Sequence, residues 1–117
     1  MRPLRCKAMI EIAIVKHKPT RRIILEAKGH AETAPKGQDL LCAAVSSQML
    51  GFSKAVSAMD ERKILGGKIS VNFGDGVVDV TLSTPKAYRE VERYLTPVEA
   101  ALRAYEAAFP DQIRIDN

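Results

Sequence analysis

Met9-Ile10-Glu11-Ile12-Ala13-Ile14-Val15, then Lys16-His17-Lys18-Pro19-Thr20-Arg21, then Arg22-Ile23-Ile24-Leu25-Glu26-Ala27-Lys28: this run decides the fold class. Its first piece alternates Ile10, Ile12 and Ile14 with Glu11 and Ala13, the period of two that marks a half-buried strand. Its second piece is basic and broken by Pro19, which fits a turn. Its third piece is apolar and extended again. Together they predict two strands paired antiparallel as a hairpin, with His17 exposed in the turn between two lysines.

Working outward, the same signature recurs further along. Ile69-Ser70-Val71-Asn72-Phe73 alternates, Gly74-Asp75-Gly76 turns, and Val78-Asp79-Val80-Thr81-Leu82 alternates again, so residues 68 to 83 read as a second hairpin with Asp79 on its solvated face. Between the hairpins, Leu41, Val45, Ser46, Met49, Phe52, Val56 and Met59 form a helix-spaced stripe from Leu40 to about Met59, and Gly66-Gly67 marks its exit. Thr84-Pro85 opens a last helical region striped by Tyr88, Val91, Leu95, Val98, Leu102, Tyr105 and Phe109. Thr96-Pro97-Val98-Glu99 has the form of a capping box with Pro at the first helical position, which predicts a break or kink there. Gln112-Ile113-Arg114-Ile115 is a candidate for one more edge strand.

The order is therefore ββαββα(β), and hairpins joined by helices predict an α+β domain. Its sheet should be largely antiparallel, built of two hairpins plus the C-terminal strand and covered by two helices. At 117 residues the chain suits one domain, 9–117, preceded by an N-terminal extension, 1–8, expected to be flexible; Met9 is an alternative initiator. With no Trp and 5% aromatic residues, the core should be aliphatic.

The chemistry is concentrated from Gly29 to Ser46. Gly29-His30-Ala31 is followed by a polar segment and then by Gly37-Gln38-Asp39-Leu40-Leu41-Cys42-Ala43-Ala44-Val45-Ser46, in a chain with two His and two Cys. Asp39 is the natural N-cap of the first helix, which puts Cys42 at its third position, where free amides and the positive end of the helix dipole favour thiolate over thiol. His30, across the loop, could hold the thiol as a thiolate and imidazolium pair and later protonate a leaving amine. On spacing alone a second reading stands beside this one. Cys42 also suits a core position as a small hydrophobe, and a His after Gly can simply close a strand end. Ser46 and Ser47, one turn on, either bond a helix carbonyl or face the cleft.

Gly29-His30-Ala31, Gly37, Asp39 and Cys42-Ala43-Ala44-Val45-Ser46 resemble the signature of the ribosomal-processing cysteine proteases, the small bacterial family called Prp. The resemblance extends in outline over the whole chain. Leu41 stands where a Val is more usual, and the residues before Met9 look like an addition to a family that begins at its first strand. The resemblance implies a cysteine-protease-like domain, a homodimer, and a loop at residues 31 to 38 that opens for substrate. It implies a substrate as well, the precursor of large-subunit ribosomal protein twenty-seven, whose N-terminal extension is cut after a bulky apolar residue. The stripe from Tyr88 to Phe109 and an exposed strand edge are both candidate dimer surfaces.

Charge is uneven. Residues 1 to 28 hold eight Lys or Arg against two Glu, and the rest of the chain ten basic against twelve acidic groups, for a net charge of +4. A basic first third can attract RNA phosphates or simply be a solvated face; no aromatic platform accompanies it. Cys6 lies in that basic tail. No run reaches transmembrane length, Glu11 interrupts the apolar stretch near the N-terminus, and the cysteines lack metal-ligand or disulfide-framework spacing, so a cytoplasmic protein with reduced thiols is expected. No metal or cofactor motif is present, and Gly74-Asp75-Gly76 is no phosphate loop because no helix or lysine follows it.

The expectation is a thiol endopeptidase with Cys42 as nucleophile and His30 as general base and then acid. Asp39 organises the helix start or orients His30, Gly29 and Gly37 bracket the loop, and first-turn amides donate to the oxyanion. The alternatives are a noncatalytic ribosome- or RNA-associated module and a purely structural dimer subunit.

Overall fold

The first hairpin forms as its alternation requires. In the computed structural model, which describes residues 9–29, 38–74 and 77–116 (Gln38 and Asp39 by backbone only), strand β1 is Ile10–His17 and β2 is Arg22–Lys28. A 3-10 turn, Lys18–Thr20, joins them, and Arg21 takes the left-handed conformation at φ 58° to swing the chain back. His17 is exposed, as expected, and its Nδ1 lies 2.7 Å from Thr20 Oγ1 across the turn. The register pairs Ile12 with Ala27 and Ile14 with Leu25, so Ile10, Ile12, Ile14, Ile23, Leu25 and Ala27 share one buried face.

The second hairpin, β3 (Ile69–Gly74) and β4 (Val77–Ser83), joins the first through β4, which runs antiparallel to β2 with Leu25 opposite Val80. The last strand, β5 (Ile113–Asp116), pairs with β1, and this one pairing is parallel. The sheet order is β3-β4-β2-β1-β5, an α+β architecture with a mostly antiparallel sheet. Asp79 faces away from the core, opposite Glu26 and Asn72, and is half-buried there.

Two helices cover one face. Helix α1, Gln38–Glu61, packs toward β4 and β3, and α2, Tyr88–Ala108, toward β5, with the helices touching each other. The expected α1 stripe is buried at Leu41, Val45, Met49, Phe52, Val56 and Met59, and Ser46 is half-buried. The core is aliphatic except for Phe52 and Tyr88; Phe73 and Phe109 are exposed. At the β3 edge the helices do not reach far enough, and Val71 and Phe73 are 40% and 46% exposed although they sit on the helix-facing side.

Three local expectations are corrected. The capping box does not form: α2 runs unbroken through Pro97. Thr96 Oγ1 donates to the Glu92 carbonyl at 3.0 Å instead of capping, and Glu99 accepts from Lys16 and Arg103. Val91, Leu95, Val98 and Leu102 are buried on both sides of Pro97, so packing outweighs the one backbone bond that a proline forfeits. That burial also removes most of the Tyr88–Phe109 stripe as a surface for a second copy; only its far end, half-buried Tyr105 and exposed Phe109, reaches the surface. The exit of α1 is set by Lys63 rather than by the glycine pair. Lys63, at φ 61°, donates to Asp60 O and Ile64 to Met59 O, the paired bonds of a Schellman ending.

Candidate active site

The ends of the elements sort into two poles. Thr84 N–H donates to Arg21 O at 2.8 Å and Lys86 N–H to Leu65 O at 3.1 Å, so the β1–β2 turn, the exit of α1 and the entry to α2 share one pole. Helix α1 therefore starts at the other, where β2 ends at Lys28 with Val77 and Glu11 on either side. From Cys42 to the end of α1 is about 28 Å at 1.5 Å per residue. Strand β2 spans about 23 Å, so Cys42 lies toward the pole where β2 ends.

Gly29 turns the chain off β2 at this pole. Its φ is +94°, and a Cβ there would lie 2.7 Å from the Met9 carbonyl oxygen, closer than any side chain tolerates. Only glycine fits there. His30, the loop at 31–37 and Gly37 lie outside the described residues, as do any contacts of the Asp39 side chain. The position of Asp39 is nonetheless set by the backbone. Because α1 begins at Gln38, Asp39 is its second residue and not its cap, and Cys42 is its fifth residue rather than its third.

That shift matters for the chemistry. In a helix starting at Gln38 the amide of Cys42 bonds back to the Gln38 carbonyl, so the free donors are the amides ahead of it. The Cys42 side chain sits just inside those donors, near the positive end of the helix, and is a reduced thiol only 7% exposed, packed with Leu41 and Val45 in the main cluster. Leu40 points the other way and is 75% exposed. Ser46 is one turn further along the Cys42 face.

The sequence model of the cysteine protease Prp family matches residues 9–114. The chain belongs to that family. It is thus a cysteine protease. No curated protein matches it. Among solved structures, the essential ribosomal processing protease Prp from S. aureus in complex with a substrate peptide is similar at a TM-score of 0.72 and 19% identity, over 92% of this chain and 98% of that one. The same S. aureus protease with a covalently linked product peptide gives 0.69 and 20%, over 92% and 98%. SMU.848 from Streptococcus mutans gives 0.73 and 19%, over 93% of each chain. At these identities the structural matches speak for the Prp fold, with its ββαββαβ order.

One polar grouping was not anticipated from sequence. Lys18, Arg21, Lys86 and Arg89, drawn from two distant segments, line a common cleft at the pole away from Cys42. The doublet Arg21-Arg22 and the pair Lys16 and Lys18 hinted at charge in the turn, but nothing local announces the partners at 86 and 89.

Proposed function

We propose that Cys42 is the nucleophile and His30 the general base and acid of this protease, and that its substrate is the precursor of large-subunit ribosomal protein twenty-seven. The observation that supports the reading is the thiol near the N-terminal end of α1, at the same pole as the Gly29 turn. The helix dipole favours the thiolate, and a neighbouring imidazolium favours it further. Sγ adds to the scissile carbonyl carbon, and the oxyanion forms against free amides of the first turn of α1. The tetrahedral intermediate collapses to a thioester as His30 hands its proton to the leaving amine. Water then attacks the thioester with His30 as base, releasing the acid and returning the thiol.

Supporting parts fall to Gly29 and Gly37 as brackets of the loop, to Asp39 in the first turn, and to Ser46 one turn beyond the thiol. The S. aureus relative is described as a ribosomal processing protease and is known with both a substrate peptide and a covalently linked product peptide, which supports a peptide substrate and a covalent route here. The homodimer, with the β3 edge as the remaining candidate surface, and a cytoplasmic setting belong to the same proposal. Among the described residues no helix is long and apolar enough to cross a membrane.

The test is to incubate the protein with the precursor and weigh the products. Two fragments separated at one bond after a bulky apolar residue are expected. An intact precursor, with a Cys42 that alkylates no faster than an ordinary thiol at mildly acidic pH, would remove the assignment.

A further inference from the structure

We propose that the cleft between the β1–β2 turn and the entry to α2 binds the phosphodiester backbone of a single-stranded nucleic acid, at the pole opposite the catalytic thiol. The cleft has a volume of about 300 Å³ and is lined by Lys18, Arg21, Lys86 and Arg89, with Glu90 its single carboxylate. Among the described residues none of these four cations has a carboxylate within 4.0 Å; Arg22, Lys54, Arg62, Lys63, Lys68 and Arg93 share that condition, and what sets the four apart is that they line one cleft. Gathering four cations around one carboxylate costs electrostatic energy that a bound polyanion relieves.

Two of the four cations are also held in place. Arg21 donates from Nη1 to Lys18 O at 3.2 Å and lies 6.0 Å over the ring of Tyr88, which is itself 6% exposed. The stem of Lys86 crosses Gly66 so closely that a Cβ there would come within 2.3 Å of its Cδ. Side chains held in this way, Arg21 and Lys86, lose little conformational freedom on binding.

The chemistry of the cations favours a nucleic-acid backbone over an acidic polypeptide. Two guanidinium forks beside two ammonium groups suit phosphates, which accept bidentate bonds and recur along a strand. Tyr88 is covered by Arg21 and gives no platform for a base, so the site reads backbone and not sequence. Some seven residues of β2 separate the cleft from the end of the strand beside Cys42, and a strand held there leaves the thiol open.

The test uses the full chain and fluorescein-labelled dodecauridylate and dodecathymidylate, with binding followed by anisotropy over a KCl series. Both probes are expected to bind alike. Lys86→Ala with Arg89→Ala should weaken binding at least tenfold in about 0.1 M KCl and reduce the slope of log K against log salt by about 1.4, the loss of two phosphate contacts. Lys54→Ala with Arg114→Ala removes the same charge from α1 and β5 and should change affinity less than threefold. Equal losses in the two double variants, an unchanged slope, no binding, or tighter binding of a dodecaglutamate peptide would each overturn the proposal. Cleavage of a short peptide should be unaltered in the cleft variant, so the outcome is read separately from the protease assignment.

Discussion

The two helices begin at opposite poles and use their N-terminal ends differently. The start of α1 carries a nearly buried thiol and, nearby, a glycine turn that admits no side chain. The start of α2 is bound down by Thr84, whose Oγ1 accepts the Ala87 N–H at 3.1 Å, and it opens onto four exposed cations. Both ends present the same backbone polarity. One places it beside the thiol proposed as nucleophile, while the other adds the formal charge of four cations around one carboxylate. A helix end thus does not define its own role; the side chains gathered around it do.

The comparison breaks most sharply at the thiol. Cys42→Ala should lower cleavage of the precursor by at least a thousandfold while leaving the melting temperature within a few degrees, since one small buried side chain replaces another. His30→Ala should lower kcat by roughly a hundredfold to ten-thousandfold with KM changed only a few fold, the pattern of a lost proton transfer. A collapse of KM with kcat intact would make His30 a contact residue. Gly29→Ala should cost about 1–3 kcal/mol in denaturant unfolding, from its left-handed backbone and the Met9 carbonyl, and should reduce activity beyond that loss.

Smaller effects sharpen the contrast away from the poles. Burial pushes the Glu99 carboxyl up, but hydrogen bonds and charge from Lys16 and Arg103 more than offset this and hold it below its ordinary value of 4.5. Stability from such a group is present above that ordinary value and is lost as the pH falls through the lower folded one. Glu99→Gln should therefore destabilise by about 1 kcal/mol at neutral pH, and the gap to the parent protein should close below pH 4.5. Lys63→Gly, at the left-handed ending of α1, should stabilise by about 0.5–1 kcal/mol by thermal melting without affecting cleavage.

The fold was legible where periodicity was strong and both partners of a strand lay in one hairpin. The alternations at Ile10–Ile14 and Val78–Leu82 placed the core face correctly because a period of two allows only one choice of side. Pro97 misled because a capping box is a local signal, and the buried stripe that overrode it extends across two turns on each side. The end of α1 misled for the opposite reason: glycines suggested the stop, while a lysine took the strained conformation. At the site, the residue types and their spacing pointed to Cys42 and Gly29, but a two-residue error in the helix start misplaced the expected oxyanion donors. The basic cleft was invisible, since its halves lie more than sixty residues apart and meet only when β4 pairs with β2.

The parallel joining of β5 to β1 bears on the order of events during synthesis. Arg114 and Glu11, which bridge these strands at 3.0 Å, are separated by 103 positions, and the Ile115 amide is satisfied by Glu106 only once α2 is in place. As the chain leaves the ribosome, β1 can pair with β2 early, but its other edge stays without a neighbour until nearly everything else has emerged. An apolar strand with one open edge is a site for mispairing with other nascent chains. Strand β5 is therefore the one that seals this side of the sheet, and the sheet can close only after Asp116 has emerged.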